Sequence, residues 1–384
     1  MEAYLDNSAT TRCREEVSQL VRETMLVDFG NPSSMHHKGV EAEQYMKKAL
    51  KQIASTLKVP EREIYFTSGG TESDNWALIG SALANQRKGK HLIITAVEHP
   101  AVSSAAEFLE KQGFEISRLP VNKEGCVSLE SLKKEIREDT ILVSTMYVNN
   151  EIGSVQPVEE IGSWLKKEHP QVIYHVDAIQ AYGKYRIHPS RMGIDLLAVS
   201  GHKIHGPKGI GFLYINSKIK ISPIIFGGGQ QNNMRSGTDN VAGAAGLGLA
   251  AEFIYRDLET KVDHMRKLKL RLAEGISAME DTVLHGMDPA MGAPHILNAS
   301  FLGVRSEVLL HSLEDRGIYV SAGSACSTHK KSKSPTLEAI SSGKDEKESA
   351  VRFSLCENTT EEEIDYTLDV IKELLPMLRR YRRS

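Results

Sequence analysis

Asp195-Leu196-Leu197-Ala198-Val199-Ser200-Gly201-His202-Lys203 is an apolar run that breaks into small and hydrogen-bonding residues. The run reads as a buried strand, and Gly206-Pro207-Lys208-Gly209-Ile210-Gly211 follows it as a glycine-bearing loop. A lysine just past the end of a core strand can be desolvated enough to act as an amine nucleophile, as a Schiff-base lysine must. Most single lysines are solvated surface groups, so Lys203 gains meaning only from partners elsewhere in the chain.

Outward from this stretch, short β-rich runs alternate with helical ones. Strands are expected at 64–67, 91–97, 140–145, 172–176, 194–199 and 210–214, with helices at 71–84, 101–112 and 158–167. This alternation predicts an α/β fold with a mostly parallel sheet covered on both faces. Ligands in such sheets bind beyond the carboxyl ends of the strands. From 241 to 279 the pattern reads as one long helix, small residues first and charged residues after. It leads to an α+β region with strands at 295–301, 318–320 and 350–355 and helices at 306–316 and 360–381. The first dozen residues are expected to cross over to that region or to a partner subunit.

The 384 residues are 40% hydrophobic and 25% charged, with net charge −3. That describes a soluble globular chain with no general attraction for nucleic acid. No stretch approaches the roughly 18 uninterrupted apolar residues of a membrane span. The opening Met1-Glu2-Ala3-Tyr4-Leu5-Asp6 lacks the basic start and apolar core of a signal peptide, so a cytoplasmic location is expected. The four cysteines, Cys13, Cys126, Cys326 and Cys356, are scattered and form no C-x-x-C pair. Neither a disulfide framework nor a metal site is expected from them.

Four segments carry candidate chemistry. Thr67-Ser68-Gly69-Gly70-Thr71-Glu72-Ser73 joins a strand to a helix, and its two glycines open backbone N–H groups to an anion. It has neither the G-x-x-x-x-G-K-[ST] nor the G-x-G-x-x-G spacing, so it suits one phosphate, or is simply a turn. His175-Val176-Asp177-Ala178-Ile179-Gln180 places Asp177 at the end of a buried strand. A buried carboxylate needs a partner; a protonated pyridine nitrogen is one and a helix start is another. His99, in Glu98-His99-Pro100, can stack on a flat ligand and move protons, or be a loop residue. Cys326 ends Ala322-Gly323-Ser324-Ala325-Cys326 beside His329, Lys330, Lys331 and Lys333, and that positive charge favours the reactive thiolate. The polar segment 327–334 reads as a mobile loop, and the basic tail 379–383 as a solvated helix end.

In order along the chain, these pieces resemble the cysteine desulfurases of the NifS/IscS type, fold-type-I pyridoxal-phosphate enzymes of the class-V aminotransferase family. The resemblance runs through Y-L-D-N-S-A-T-T at 4–11, G-N-P-S-S-M-H at 30–36, F-T-S-G-G-T-E-S at 66–73, V-E-H-P-A-V at 97–102 and V-N-N-E-I-G at 148–153. It continues through H-V-D-A-I-Q at 175–180, S-G-H-K at 200–203, M-R-S-G-T at 234–238, G-S-A-C at 323–326 and V-R-F-S-L at 351–355.

The resemblance implies a large domain, 15–255, with a mostly parallel seven-stranded sheet. It also implies a small α+β domain, 1–14 with 256–384, carrying the cysteine loop at about 323–335. Pyridoxal 5'-phosphate is implied as cofactor, with Lys203 as its Schiff-base lysine. Gly70, Thr71, Ser200 and His202 would hold the phosphate, with Thr238 donated by the partner subunit of a homodimer. Asp177 would meet the ring nitrogen, Gln180 the ring oxygen and His99 the ring face. Asn150 and Arg352 would bind the carboxylate of L-cysteine, and Asn150 would also touch the cofactor. Cys326 would take the sulfur as a persulfide, release L-alanine, and pass sulfur to an acceptor such as an iron–sulfur scaffold or a tRNA-thiolation enzyme. A selenocysteine lyase of the same fold, or a non-catalytic sulfur-assembly partner, are the alternatives. The chain departs from the family pattern at Arg12, at Gln231-Asn232-Asn233, in the lysines after Cys326 and in the polar stretch 341–349.

Overall fold

The strand expected around Val199 forms at Leu196–Ser200 and lies inside a seven-stranded sheet. The structure, a computed structural model, describes residues 1–322 and 334–380. The strands, in chain order, begin with β1 (Ala3–Tyr4), β2 (Ile64–Thr67), β3 (His91–Thr95), β4 (Glu115–Leu119) and β5 (Thr140–Met146). Next come β6 (Ile173–Asp177), β7 (Leu196–Ser200), β8 (Gly211–Ile215) and β9 (Thr282–His285). The series ends with β10 (Ile296–Phe301), β11 (Ile318–Tyr319), β12 (Ser321–Ala322) and β13 (Ala350–Ser354).

The large sheet runs β2-β8-β7-β6-β5-β3-β4. β8 pairs antiparallel with both its neighbours, and the other pairings are parallel. Burial on both faces explains the continuous apolar runs. Leu197 and Val199 of β7 pack with Phe212 and Tyr214 into one core. Leu196 and Ala198 point the other way, with Trp76, Val102 and Leu109. β4 was not expected from the sequence. Glu-Ile-Ser-Arg-Leu is too polar to read as a core strand, and the structure places it at the sheet edge, where exposure permits charge.

The helix expected over 71–84 runs from Gly70 to Asn85, with a π-helical turn at Trp76–Gly80. There the chain closes on a neighbouring loop: Trp76 Nε1 donates to Ser222 O at 2.9 Å. A Cβ on Gly80 would come within 2.5 Å of that same oxygen.

The long helix expected over 241–279 is instead two helices, Val241–Tyr255 and Leu258–Ser277. The break falls at Asp257, whose φ is +55°; Asp is among the few residues that enter the left-handed region without a glycine. The first of these helices is small-residue and buried against helices Glu15–Leu26 and His37–Leu57, within the core that also holds one face of the large sheet. The second packs Leu268, Leu272 and Ile276 with Ile364, Ile371 and Leu375 of helix Glu361–Arg380. These helices cover a four-stranded antiparallel sheet, β12-β13-β10-β9. The amino terminus joins this second body, with Ala3 opposite Ile318 and Tyr4 opposite Tyr319 in a parallel β1–β11 pair. Among the described residues no helix is long and apolar enough to cross a membrane.

Candidate active site

A cavity of about 530 Å³ opens beyond the carboxyl ends of β3, β5, β6 and β7. Gly70, Thr71, His99, Asn150, Asp177, Gln180, Ser200, His202, Lys203 and Arg352 all line it. The first nine come from the large-sheet part of the chain and Arg352 from β13 of the second sheet, so the cavity sits between the two bodies.

Each side chain is placed by the end of an element. Lys203 lies in the single turn after β7, and its Nζ donates to Ser8 O and, at 2.8 Å, to Ala9 O. The opening Asn-Ser-Ala-Thr-Thr segment thus anchors the amine. Thr11 ties the same turn from its backbone, donating N–H to His202 O at 2.9 Å. His202 Nδ1 lies 3.2 Å from Thr10 Oγ1. Burial, with the Lys203 charge beside it, pushes His202 down to about 4.

The turn before Gly70 crosses the sheet where no side chain fits. Gly69 has φ +146°, and a Cβ on Gly211 of β8 would come within 2.8 Å of Gly69 Cα. A Cβ on Gly70 would meet Ile179 Cδ1 at 2.1 Å. Backbone therefore approaches Ser200 closely, leaving N–H groups available to an anion at the cavity floor.

Asp177 ends β6 and is 5% exposed. Its Oδ1 accepts the Ile179 N–H at 2.9 Å. Burial pushes its carboxyl up to about 8, and a cationic partner would favour the carboxylate. Gln180 donates from Nε2 to Ser8 O at 3.1 Å, and its Oε1 lies 3.4 Å from His295 Nε2. His99 caps helix Pro100–Lys111, its Nδ1 accepting the Ala101 N–H at 3.1 Å. Burial, then the Lys203 charge, pushes it down to about 4, so its imidazole is neutral near pH 7. Arg352 is 1% exposed; Nη2 donates to Asp6 Oδ1 at 2.7 Å and Nη1 to Asn150 O at 2.9 Å.

The Aminotransferase class-V family profile matches residues 3–367. The chain belongs to this family. As a class-V aminotransferase family member it is 43% identical over 376 residues to the cysteine desulfurase IscS of Methanosarcina thermophila, a match covering 98% of this chain and 92% of that protein. It is 42% identical to the cysteine desulfurase IscS of Dictyoglomus turgidum, covering 98% and 95%. Among solved structures, a NifS-like protein superposes with a TM-score of 0.93 at 38% identity, covering 98% of this chain and 100% of that one. A structure of SspA in complex with cysteine superposes at 0.82 with 32% identity, covering 93% and 100%. The mostly parallel seven-stranded sheet is consistent with these structural matches.

Two expected site residues do not stand in this cavity. Thr238 is exposed, on the loop after β8, and does not line it. Cys326 lies outside the described residues. Other residues were not singled out by the sequence reading. Glu98 lines the cavity with Oε1 accepting from Thr95 Oγ1 at 2.7 Å and from Met146 N at 2.8 Å, and burial pushes it up to about 8. Glu151 accepts from Ser334 Oγ at 2.5 Å and from Thr336 Oγ1 at 3.3 Å, at the edge of the cysteine loop. Both sit inside motifs that the sequence displays, V-E-H-P and N-N-E-I-G. Lys184 is buried and its Nζ donates to Lys203 O at 2.8 Å, a contact that no spacing announces.

Proposed function

We propose that the chain is a pyridoxal-phosphate-dependent cysteine desulfurase that acts as a homodimer. It converts L-cysteine to L-alanine and carries the sulfur as a persulfide on Cys326. The observation that carries this reading is the convergence of ten expected residues on one cavity, with an amine, a phosphate-sized cradle, a buried carboxyl and an arginine.

The residues fit the cofactor. Gly70 has no room for a Cβ, which would meet Ile179 Cδ1 at 2.1 Å, so this turn stays bare backbone, and Asp177 is a buried acid lining the cavity on which the Lys203 charge is a minor pull. Gly70, Thr71, Ser200 and His202 would hold the phosphate, joined by Thr238 of the other subunit. Asp177 would hold the ring nitrogen in its protonated form, Gln180 would meet the ring oxygen, and neutral His99 would lie against the ring face. Bound pyridoxal phosphate supplies an electron sink conjugated to the substrate Cα.

The chain's own groups do the rest. Lys203 Nζ is the amine that tethers the cofactor and, once released, holds the Cα proton. Its Ser8 and Ala9 carbonyl contacts keep that nitrogen at the cavity mouth of β7. Arg352, oriented by Asp6, presents a guanidinium to the substrate carboxylate beside Asn150. His99, neutral near pH 7, can accept a proton and return it. In the net reaction the substrate Cβ–S bond breaks, a bond forms between that sulfur and Cys326 Sγ, and the displaced proton completes alanine. The persulfide sulfur then moves to an acceptor protein by thiol exchange, with iron–sulfur scaffolds and tRNA-thiolation enzymes as the acceptor classes. We read the chain as two domains, 15–255 and 1–14 with 256–384, and place it in the cytoplasm.

Purified protein is expected to be yellow, and Lys203→Ala protein colourless; equal colour in the two would refute the tether. Cys326→Ala is expected to bind cofactor and cysteine but to form no persulfide. Continued sulfide release with cysteine from that variant would remove Cys326 from its role.

A further inference from the structure

Behind Asp177 lies a buried pair that the reaction above does not use. Asp74, on helix Gly70–Asn75, is 0% exposed and neither of its carboxyl oxygens has a hydrogen-bond partner among the described residues. Across from it stands His175 of β6, whose Nε2 also makes no hydrogen bond among the described residues and lies 3.5 Å from Asp74 Oδ1. His175 is also 0% exposed, and its Nδ1 lies 2.8 Å from Ser144 Oγ of β5. His175 and Asp177 stand two residues apart on one strand, so both side chains project from the same face of β6. The pair therefore joins the helix that begins at the phosphate cradle to the strand that ends at the ring-nitrogen acid.

An ionised carboxylate in this place would be buried with no hydrogen bond made to it among the described residues, at a cost of several kcal/mol. A carboxylic acid keeps its proton and lowers that cost by donating a hydrogen bond to an acceptor in reach. His175 is suited to accept, because Nδ1 can carry the other hydrogen toward Ser144. Burial pushes Asp74 well above the ordinary carboxyl range and His175 down to about 4, the directions such a neutral pair requires. A charge on Asp74 is felt by Glu98 and Asp177, and Asp177 also feels His175 and Lys203. Such a charge would add a negative group beside two acids that burial already pushes toward the neutral form.

We propose that Asp74 is a neutral carboxylic acid hydrogen-bonded to His175 Nε2, and that the pair is a positioning element that sets Asp177 against the cofactor ring without a second negative charge behind it. The part concerning Asp177 rests on the function proposed above.

Infrared difference spectra of the full-length protein, labelled with carbon-13 at the aspartate carboxyls, read the proton directly. Wild type minus Asp74→Asn at neutral pH is expected to show one protonated-carboxyl band, with and without pyridoxal phosphate. No such band in the cofactor-free protein overturns the neutral acid. Pyridoxal-phosphate affinity, titrated from roughly pH 6 to 9, reads the positioning. Asp74→Asn keeps a hydrogen-bond donor and no charge, so its profile should overlay wild type within about twofold. Asp74→Leu leaves His175 without a donor and should weaken binding about tenfold. An Asn profile displaced by about tenfold, or a Leu variant binding like wild type, overturns the proposal. If wild type itself binds no pyridoxal phosphate, the proposed function falls and the role of Asp177 with it, while the infrared band still decides the protonation of Asp74.

Discussion

Replacing His175 by Gln should flatten the acid side of the stability curve, and the size of the change follows from burial. His175 is 0% exposed and its pKa is pushed from 6.5 to about 4 by desolvation, against a smaller opposing pull from Asp177. Between these values the unfolded chain binds a proton that the folded chain refuses. Stability is therefore complete above pH 6.5 and is lost as pH falls toward 4. From pH 6.5 to pH 5 the loss assignable to this residue is on the order of 2 kcal/mol, since a tenfold difference in proton affinity between the two states is worth about 1.4 kcal/mol. Gln keeps the hydrogen-bonding shape but does not titrate, so the variant should lose on the order of 2 kcal/mol less over that interval. The protein's two tryptophans, Trp76 and Trp164, both pack on the large sheet that contains His175. Urea unfolding of cofactor-free protein followed by their fluorescence therefore reports the right body. Carboxyl groups remote from His175 are common to the two proteins and cancel in the difference, leaving His175 with its neighbours Asp74 and Asp177. Parallel pH dependences would refute the reasoning: they would mean that His175 keeps its proton in the fold, as it would beside an ionised Asp74.

Two further substitutions test the cavity. Gly211→Ala places a Cβ 2.4 Å from Val199 O and 2.8 Å from Gly69 Cα, both backbone atoms that cannot step aside alone. Overpacking of this kind costs about 1–3 kcal/mol, so cofactor affinity measured by absorbance titration should fall about tenfold or more. Unchanged affinity would mean that the crossing at Gly69 does not shape the cradle. Arg352→Gln removes the charged donors to Asp6 and Asn150 O. It should raise the KM for L-cysteine by about ten- to a hundredfold while pyridoxal-phosphate binding is kept; steady-state alanine formation with an equal KM would sink that assignment.

Much of the site was legible because its chemistry sits at strand ends, where apolar runs stop and small or polar residues begin. Lys203, Asp177, His99 and Gly70 each mark such a stop, and the structure brings all four to one cavity. What was not legible arose from contacts between distant segments. Ser8 and Ala9 act through backbone carbonyls, which every residue has, so no side-chain pattern singles them out. The edge strand β4 looked too polar because half-exposed strands tolerate charge. The single helix expected over 241–279 breaks at a left-handed Asp257, with no glycine or proline to announce it.

By itself the sequence determined the parallel α/β core, because strands buried on both faces must be apolar throughout. It also determined which residue types wait at the strand ends, because amines, acids and glycines are costly inside a sheet and collect where it stops. Only the tertiary structure decided the spacing of those groups and their protonation. Arg352 meets Asn150 and Asp6 across two sheets, and Asp74 meets His175 across a helix and a strand. Charge states in such places depend on how much water and how many donors the whole fold leaves around a group, and no local stretch of chain carries that information.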